Sequence, residues 1–207
     1  MDASYSFLYP KVPEAARLLS LTGIAADLKN VLAYIALVRT VQAEGSQRFV
    51  LWDAATSAAV VAYVRCFNGG VRERLSPQIL QERRPELAAA HDYFYLLRDK
   101  HIGHSVSCYE ESVLRAEVEE RSGTLGEILR ISTTYRSVAG LNEEDLGLLE
   151  ALAGFWIGWV EQEQQGEQRR VLEFLQQLPT TQLTEWRTAP EPSCLSPNAH
   201  AARRKHG

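Results

Sequence analysis

Cysteine is scarce in this sequence of 207 residues: Cys66, Cys108 and Cys194 stand far apart, and no Cys-x-x-Cys pair occurs. That pattern excludes a zinc ribbon or a thioredoxin-type motif and predicts reduced thiols in a cytoplasmic protein. Uniformly apolar runs of about 18 residues are absent as well, so no membrane span is expected. The first 18 residues lack the basic region and apolar run of a secretory leader. Positive charge is not in excess either, with 22 Lys and Arg against 26 Asp and Glu. A formal charge of −4 is not that of a general polyanion binder, which leaves a local basic surface as the form such binding would take. No internal repeat and no cofactor-binding motif is found, so no cofactor is expected. What remains is ordinary for a globular chain: 45% hydrophobic and 23% charged residues, and enough length to bury a core without staples.

The apolar residues recur mostly at helical spacing. Residues 1–12 read as an aromatic-bearing arm, and Pro13-Glu14 as a helix start. From Ala25 to Glu44, Leu28, Val31, Leu32, Ile35, Val38 and Val41 follow one another at three and four residues, and Gly45 ends the run. A second helix is expected from Phe49 to Phe67. Its stripe is Trp52, Ala55, Ala59, Ala62 and Phe67, with Ala54, Ser57 and Ala58 beside it, and so many small side chains allow close helix approach and predict a central place in a bundle. Asn68-Gly69-Gly70 stops it, and Val71 to Arg84 reads as a polar connection. Pro85 opens a third helix carrying Leu87, His91, Phe94, Leu97, His101 and His104.

Then the period changes to two. Leu114, Ala116 and Val118 alternate with Val113, Arg115 and Glu117, and Leu129, Ile131 and Tyr135 continue beyond Gly123 and Gly126. This predicts a β-hairpin at about residues 112–136 with a long loop. Asn142 followed by Glu143, Glu144 and Asp145 has the form of a helix N-cap with acids in the first turn. The long helix behind it carries Leu146, Leu149, Ala153, Trp156 and Val160, with an interruption expected at Gly166 and an end at Pro179. Residues 179–207, with Pro190, Pro192 and Pro197, read as a mobile tail. The expected architecture is mainly α: four longer helices in a bundle over residues 13–178, with a β-hairpin inserted between the third and fourth.

One segment reads as chemistry: Arg98-Asp99-Lys100-His101-Ile102-Gly103-His104. Arg98 and His104 are six residues apart, roughly 9 Å of rise if an α-helix continues that far. Histidine moves protons near neutral pH, and arginine holds a phosphate. Together they suit cleavage of an RNA phosphodiester, in which the 2′-hydroxyl is the nucleophile. An arginine, a polar residue and a histidine at this spacing near the end of a bundle helix resemble the signature of HEPN-domain proteins. That resemblance implies a helical bundle that forms a homodimer, with two copies of the motif making a metal-independent endoribonuclease that acts as a toxin or in antiphage defence. Some relatives are inactive RNA-binding or interaction modules. It implies Arg98 and His104 as catalytic residues beside Asp99, and from their place near the motif His101 is expected to support the site and Lys100 and Arg65 to contact flanking phosphates. Val106 stands where the branch paired with nucleotidyltransferase antitoxins has a tyrosine.

The same residues also suggest other chemistries. His91, His101 and His104 suggest a metal, but His91 points about 80° away from His101 on an ideal helix, and no other helix offers a histidine. His91-Asp92 resembles the HD phosphohydrolase dipeptide without its further histidines. Ser105, Ser107 and Cys108 lack the setting of a nucleophile elbow. No metal is expected. Charge is uneven along the chain, with seven Lys/Arg against five Asp/Glu from Arg65 to His104, and eight acids against two bases from Gly140 to Leu178. The anion-facing side is therefore expected near the motif.

Overall fold

The computed structural model describes all residues except 1–7, 44–48, 70–71, 103–109, 122, 138–139 and 188–207. Six α-helices and one two-stranded antiparallel sheet occupy the described residues: α1 (Ala16–Ala43), α2 (Phe49–Arg65), α3 (Pro77–Arg83), α4 (Ala88–Leu97), β1 (Glu110–Arg121), β2 (Thr124–Ser137), α5 (Glu143–Gln176) and α6 (Thr180–Arg187). Turns of 3-10 helix at Pro13–Ala15 and Pro85–Leu87 lead into α1 and α4, each with proline where its missing N–H goes unused. The mainly α fold with an inserted hairpin is the one the sequence predicts.

Helix α1 is the axis of the bundle, packed along both α2 and α5. The alanine-rich stripe of α2 predicts that place for α2. Ala55, Ala59 and Ala62 are indeed buried, but α2 lies between α1 and α4. Leu28, Val31, Ile35 and Val38 of α1 are inaccessible, as are Leu146, Leu149, Leu152 and Trp156 of α5. Ion pairs set the antiparallel register at both ends: Arg17 reaches Glu163 at 2.8 Å and Glu167 at 3.3 Å, and Arg39 reaches Glu143 at 2.7 Å and Glu150 at 2.9 Å. Much of the acidic charge of α5 therefore faces arginines of α1.

The segment Pro13–Ala43 has the length and mean hydropathy, 1.5, of a membrane-crossing helix. Leu28, Val31, Ile35 and Val38 of this segment are buried against the bundle, and buried Asp27 lies among them, while Leu19 and Leu37 are exposed. Its composition is that of a bundle axis.

The structure corrects four expectations. The connection at Val71 to Arg84 contains α3, whose Pro77 starts it and whose Leu80 is its one buried residue. A helix with a single anchor shows no period. Helix α5 runs unbroken through Gly166, where the ion pairs of Glu163 and Glu167 to Arg17 hold it on both sides. The hairpin loop is tight rather than long: Arg121 pairs with Thr124, and Gly123 takes φ 79°, the left-handed conformation a two-residue turn demands. Residues 180–187, read as tail, form α6. The N-cap holds as expected, with Asn142 Oδ1 accepting from Asp145 N–H at 2.8 Å.

Gly140 joins the hairpin to α5 with φ 80°, and a Cβ there would overlap the indole of Trp52. A side chain meets two penalties at this position, a left-handed backbone and a ring that cannot yield. We expect Gly140→Ala to lower stability by about 2 kcal/mol or more, checked by urea denaturation, whereas Gly166→Ala on exposed α5 stabilises.

Candidate functional site

Leu87, in the turn that leads into α4, and His91, Phe94 and Leu97 of α4 are buried at the spacing read from sequence. Beyond Leu97 the α-helix does not continue. Arg98–Ile102 is a turn of π-helix packed against α2. The cause lies in two apolar residues. Leu97 is buried and Ile102 packs against the core, yet five residues span about 500° in an α-helix, leaving the two some 140° apart. The i to i+5 winding of a π turn brings both onto the core side. The α-helical ruler of about 9 Å between Arg98 and His104 therefore does not apply.

This turn presents charge to solvent. Arg98 donates from Nη1 to Asp99 Oδ1 at 2.7 Å, and the two side chains are 40% and 45% exposed. Lys100 is exposed beside them. The backbone of His101 belongs to the π turn, while its side chain and the whole of His104 lie outside the described residues, as do Ser105, Val106, Ser107 and Cys108. The structure thus brings Arg98, Asp99 and Lys100 together on one solvent-open turn.

Arg65 is placed elsewhere. Its Nε donates to Asp27 Oδ2 at 3.0 Å, and one Nη is paired with Oδ1 of the same carboxylate. Arg72 donates to Asp27 Oδ2 at 2.7 Å. Asp27 is 4% exposed, whereas the guanidinium groups reach the surface. The Asp27 carboxylate holds the Arg65 guanidinium above its ordinary pKa. Gly23, one turn before Asp27, makes room for Arg72, whose guanidinium a Cβ at Gly23 would strike. Sequence reasoning missed this triad. Its one legible sign is an aspartate between the core positions Ile24 and Leu28 of an apolar helix.

His91 is buried, and its Nδ1 shares a 2.8 Å hydrogen bond with the Tyr63 hydroxyl. Phe67 and Trp156 complete an edge-to-face cluster, with ring centroids 4.6 Å apart for Phe67 and His91 and 5.4 Å for Phe67 and Trp156. Asp92 is exposed while His91 is buried, so the His-Asp dipeptide does not converge on one site. Among the described residues no group of three His, Cys, Asp or Glu could hold a metal ion. Burial pushes the Tyr63 phenol up and the Cys66 thiol up to about 12, which makes both poor nucleophiles.

Comparisons with protein-family models, with curated proteins and with solved structures found no match to this chain.

Two predictions follow from the buried polar groups. Burial lowers the pKa of His91, against a smaller opposing effect of Asp92. The unfolded chain then binds the proton more readily, so this contribution to stability is full above about pH 6.5 and is lost as pH falls from there through the depressed folded value. Denaturation midpoints should drop between pH 7.5 and 5.5, and His91→Gln should flatten that dependence. For the triad, removing both arginines strands a buried carboxylate. Arg65→Ala with Arg72→Ala should lower stability by about 3 kcal/mol, and replacing Asp27 by Asn in that background should restore part of it.

Proposed function

We propose that the chain is a metal-independent endoribonuclease of the HEPN type, a toxin or defence nuclease that acts as a homodimer on RNA. The observation that carries this reading is the solvent-open π turn holding Arg98 against Asp99, six residues before His104. Turns of this kind are frequent at functional sites, because they set a side chain off the regular helical ladder.

In this mechanism His104 takes the proton of the RNA 2′-hydroxyl as its oxygen attacks the adjacent phosphorus. The bond from phosphorus to the 5′-oxygen breaks, and the proton passes to that oxygen. The products are a 2′,3′-cyclic phosphate and a 5′-hydroxyl, with no oxidant or further reactant. Arg98 binds the scissile phosphate and stabilises the charge of the pentacovalent state. Asp99 orients Arg98 through its ion pair, and His101 supports the site. Lys100 is available to a flanking phosphate. Arg65 keeps one Nη outside its paired contacts with Asp27, and that nitrogen is its means of meeting a second phosphate.

The test is cleavage of RNA by the purified full chain in EDTA, beside Arg98→Ala and His104→Ala checked for folding by circular dichroism. Both variants should lose on the order of 100-fold or more in rate, and wild-type products should carry cyclic phosphate ends. Wild-type protein that leaves a panel of RNAs intact would sink the nuclease and leave a catalytically silent interaction module.

A further inference from the structure

Asp27 is met by two guanidinium groups, one more than its charge requires. Arg65 alone makes a bidentate contact, Nε to Oδ2 at 3.0 Å and one Nη to Oδ1, which neutralises the carboxylate and engages both of its oxygens. Arg72 adds a second cation on Oδ2 at 2.7 Å. Because both arginines reach the same oxygen, their donor nitrogens lie within about 6 Å of one another, where like charges repel. Among the described residues Asp27 is the one carboxylate paired with either guanidinium, so two cations stand against one anion.

The excess charge lies on the solvent side. The Asp27 side chain is 6% exposed, while those of Arg65 and Arg72 are 55% and 37% exposed. Nη1 of Arg65 and Nε of Arg72 have no acceptor among the described residues. The seat of Arg72 is also built into α1. Glycine within a helix weakens it, yet Gly23 leaves the space that the Arg72 guanidinium occupies, and a Cβ there would strike Nη1. Glu73, next to Arg72 in the chain, is engaged by Arg17 at 2.9 Å instead.

We infer that Arg65 and Arg72, held on buried Asp27, form a binding site for a phosphate monoester. Three properties of the pair select this ligand. An oxyanion between the two guanidiniums offsets their repulsion and the excess positive charge. Phosphate has oxygens enough to meet both planar forks, each of which matches its geometry. Asp27 already fixes both side chains, so little rotamer freedom is lost on binding. Two sources carry such a group, a small phosphate compound and the phosphorylated end of an RNA.

This inference extends the phosphate contact given to Arg65 under the ribonuclease reading. It outlasts the failure of that reading, because the site draws no residue from Arg98 to His104.

The experiment is isothermal titration of the full chain with inorganic phosphate at fixed ionic strength, chloride being the anion replaced. Wild-type protein should bind phosphate with a Kd on the order of 1 mM, and Arg98→Ala should bind it equally well. Arg72→Lys keeps a charge beside Asp27 but not the fork, and should weaken binding roughly 10-fold with the helical circular dichroism unchanged. Wild-type protein that takes up no phosphate overturns the inference. So does binding that survives Arg72→Lys and is lost in Arg98→Ala, which moves the phosphate to the π turn. A short RNA with a terminal phosphate, compared with the same RNA ending in a hydroxyl, separates the two sources in a His104→Ala background. Roughly 10-fold tighter binding of the phosphorylated end, abolished by adding Arg72→Lys, identifies the RNA end. Equal binding of the two RNAs, with inorganic phosphate still bound, identifies a small phosphate compound. Phosphate binding at this site by a wild type that cuts no RNA would count against the nuclease alone.

Discussion

A carboxylate removed from water is tolerated only where cations and donors meet it, and Asp27 on α1 is met by two arginines. Arg65 comes from the last residue of α2, and Arg72 from the segment that follows. One buried group thereby fixes the end of α2 against α1. From that end hang Tyr63 and Phe67, which meet His91 of α4 and Trp156 of α5. The ion pairs of Arg17 and Arg39 set how far α5 slides along α1, but they are surface contacts. The aspartate triad decides where the aromatic core stands, and with it the height at which α4 leaves the bundle.

That height matters because α4 ends in the π turn. The core holds Leu97 and Ile102, and the chain between them has to unwind from the α-helical turn to satisfy both. Arg98, Asp99 and Lys100 fall in the part displaced outward, so their exposure is a by-product of packing rather than of local polarity. The same physics that places two hydrophobic side chains in the core presents the charged motif to solvent.

Legibility in the sequence followed the range of the interaction. Helices α1, α2, α4 and α5 were readable because each carries several core residues at helical spacing, and the Asn142 cap because its partner, Asp145, is three residues away. The alternation of Leu114, Ala116 and Val118 showed a strand. Its two-residue turn was hidden because Gly126, inside β2, looked like part of the loop. The aspartate triad spans 38 and 45 residues, and nothing local to Asp27 names its partners. His91 stands on the core stripe of α4, but its hydrogen-bond partner, a tyrosine 28 residues earlier, is not legible locally. At the candidate site, the charged turn could be read from Arg98 to Lys100, while the π winding depended on Ile102 docking on a core the motif does not contain.

Cys66 closes α2 within this core, 1% exposed, its Sγ directed to the Ala62 carbonyl at 3.4 Å. A thiol so placed is shielded twice, by packing and by the scarcity of its thiolate. Alkylating reagents and oxidants therefore reach it only when the core around the end of α2 opens. The residue is a built-in clock for that opening, recording in covalent form how often the bundle breathes.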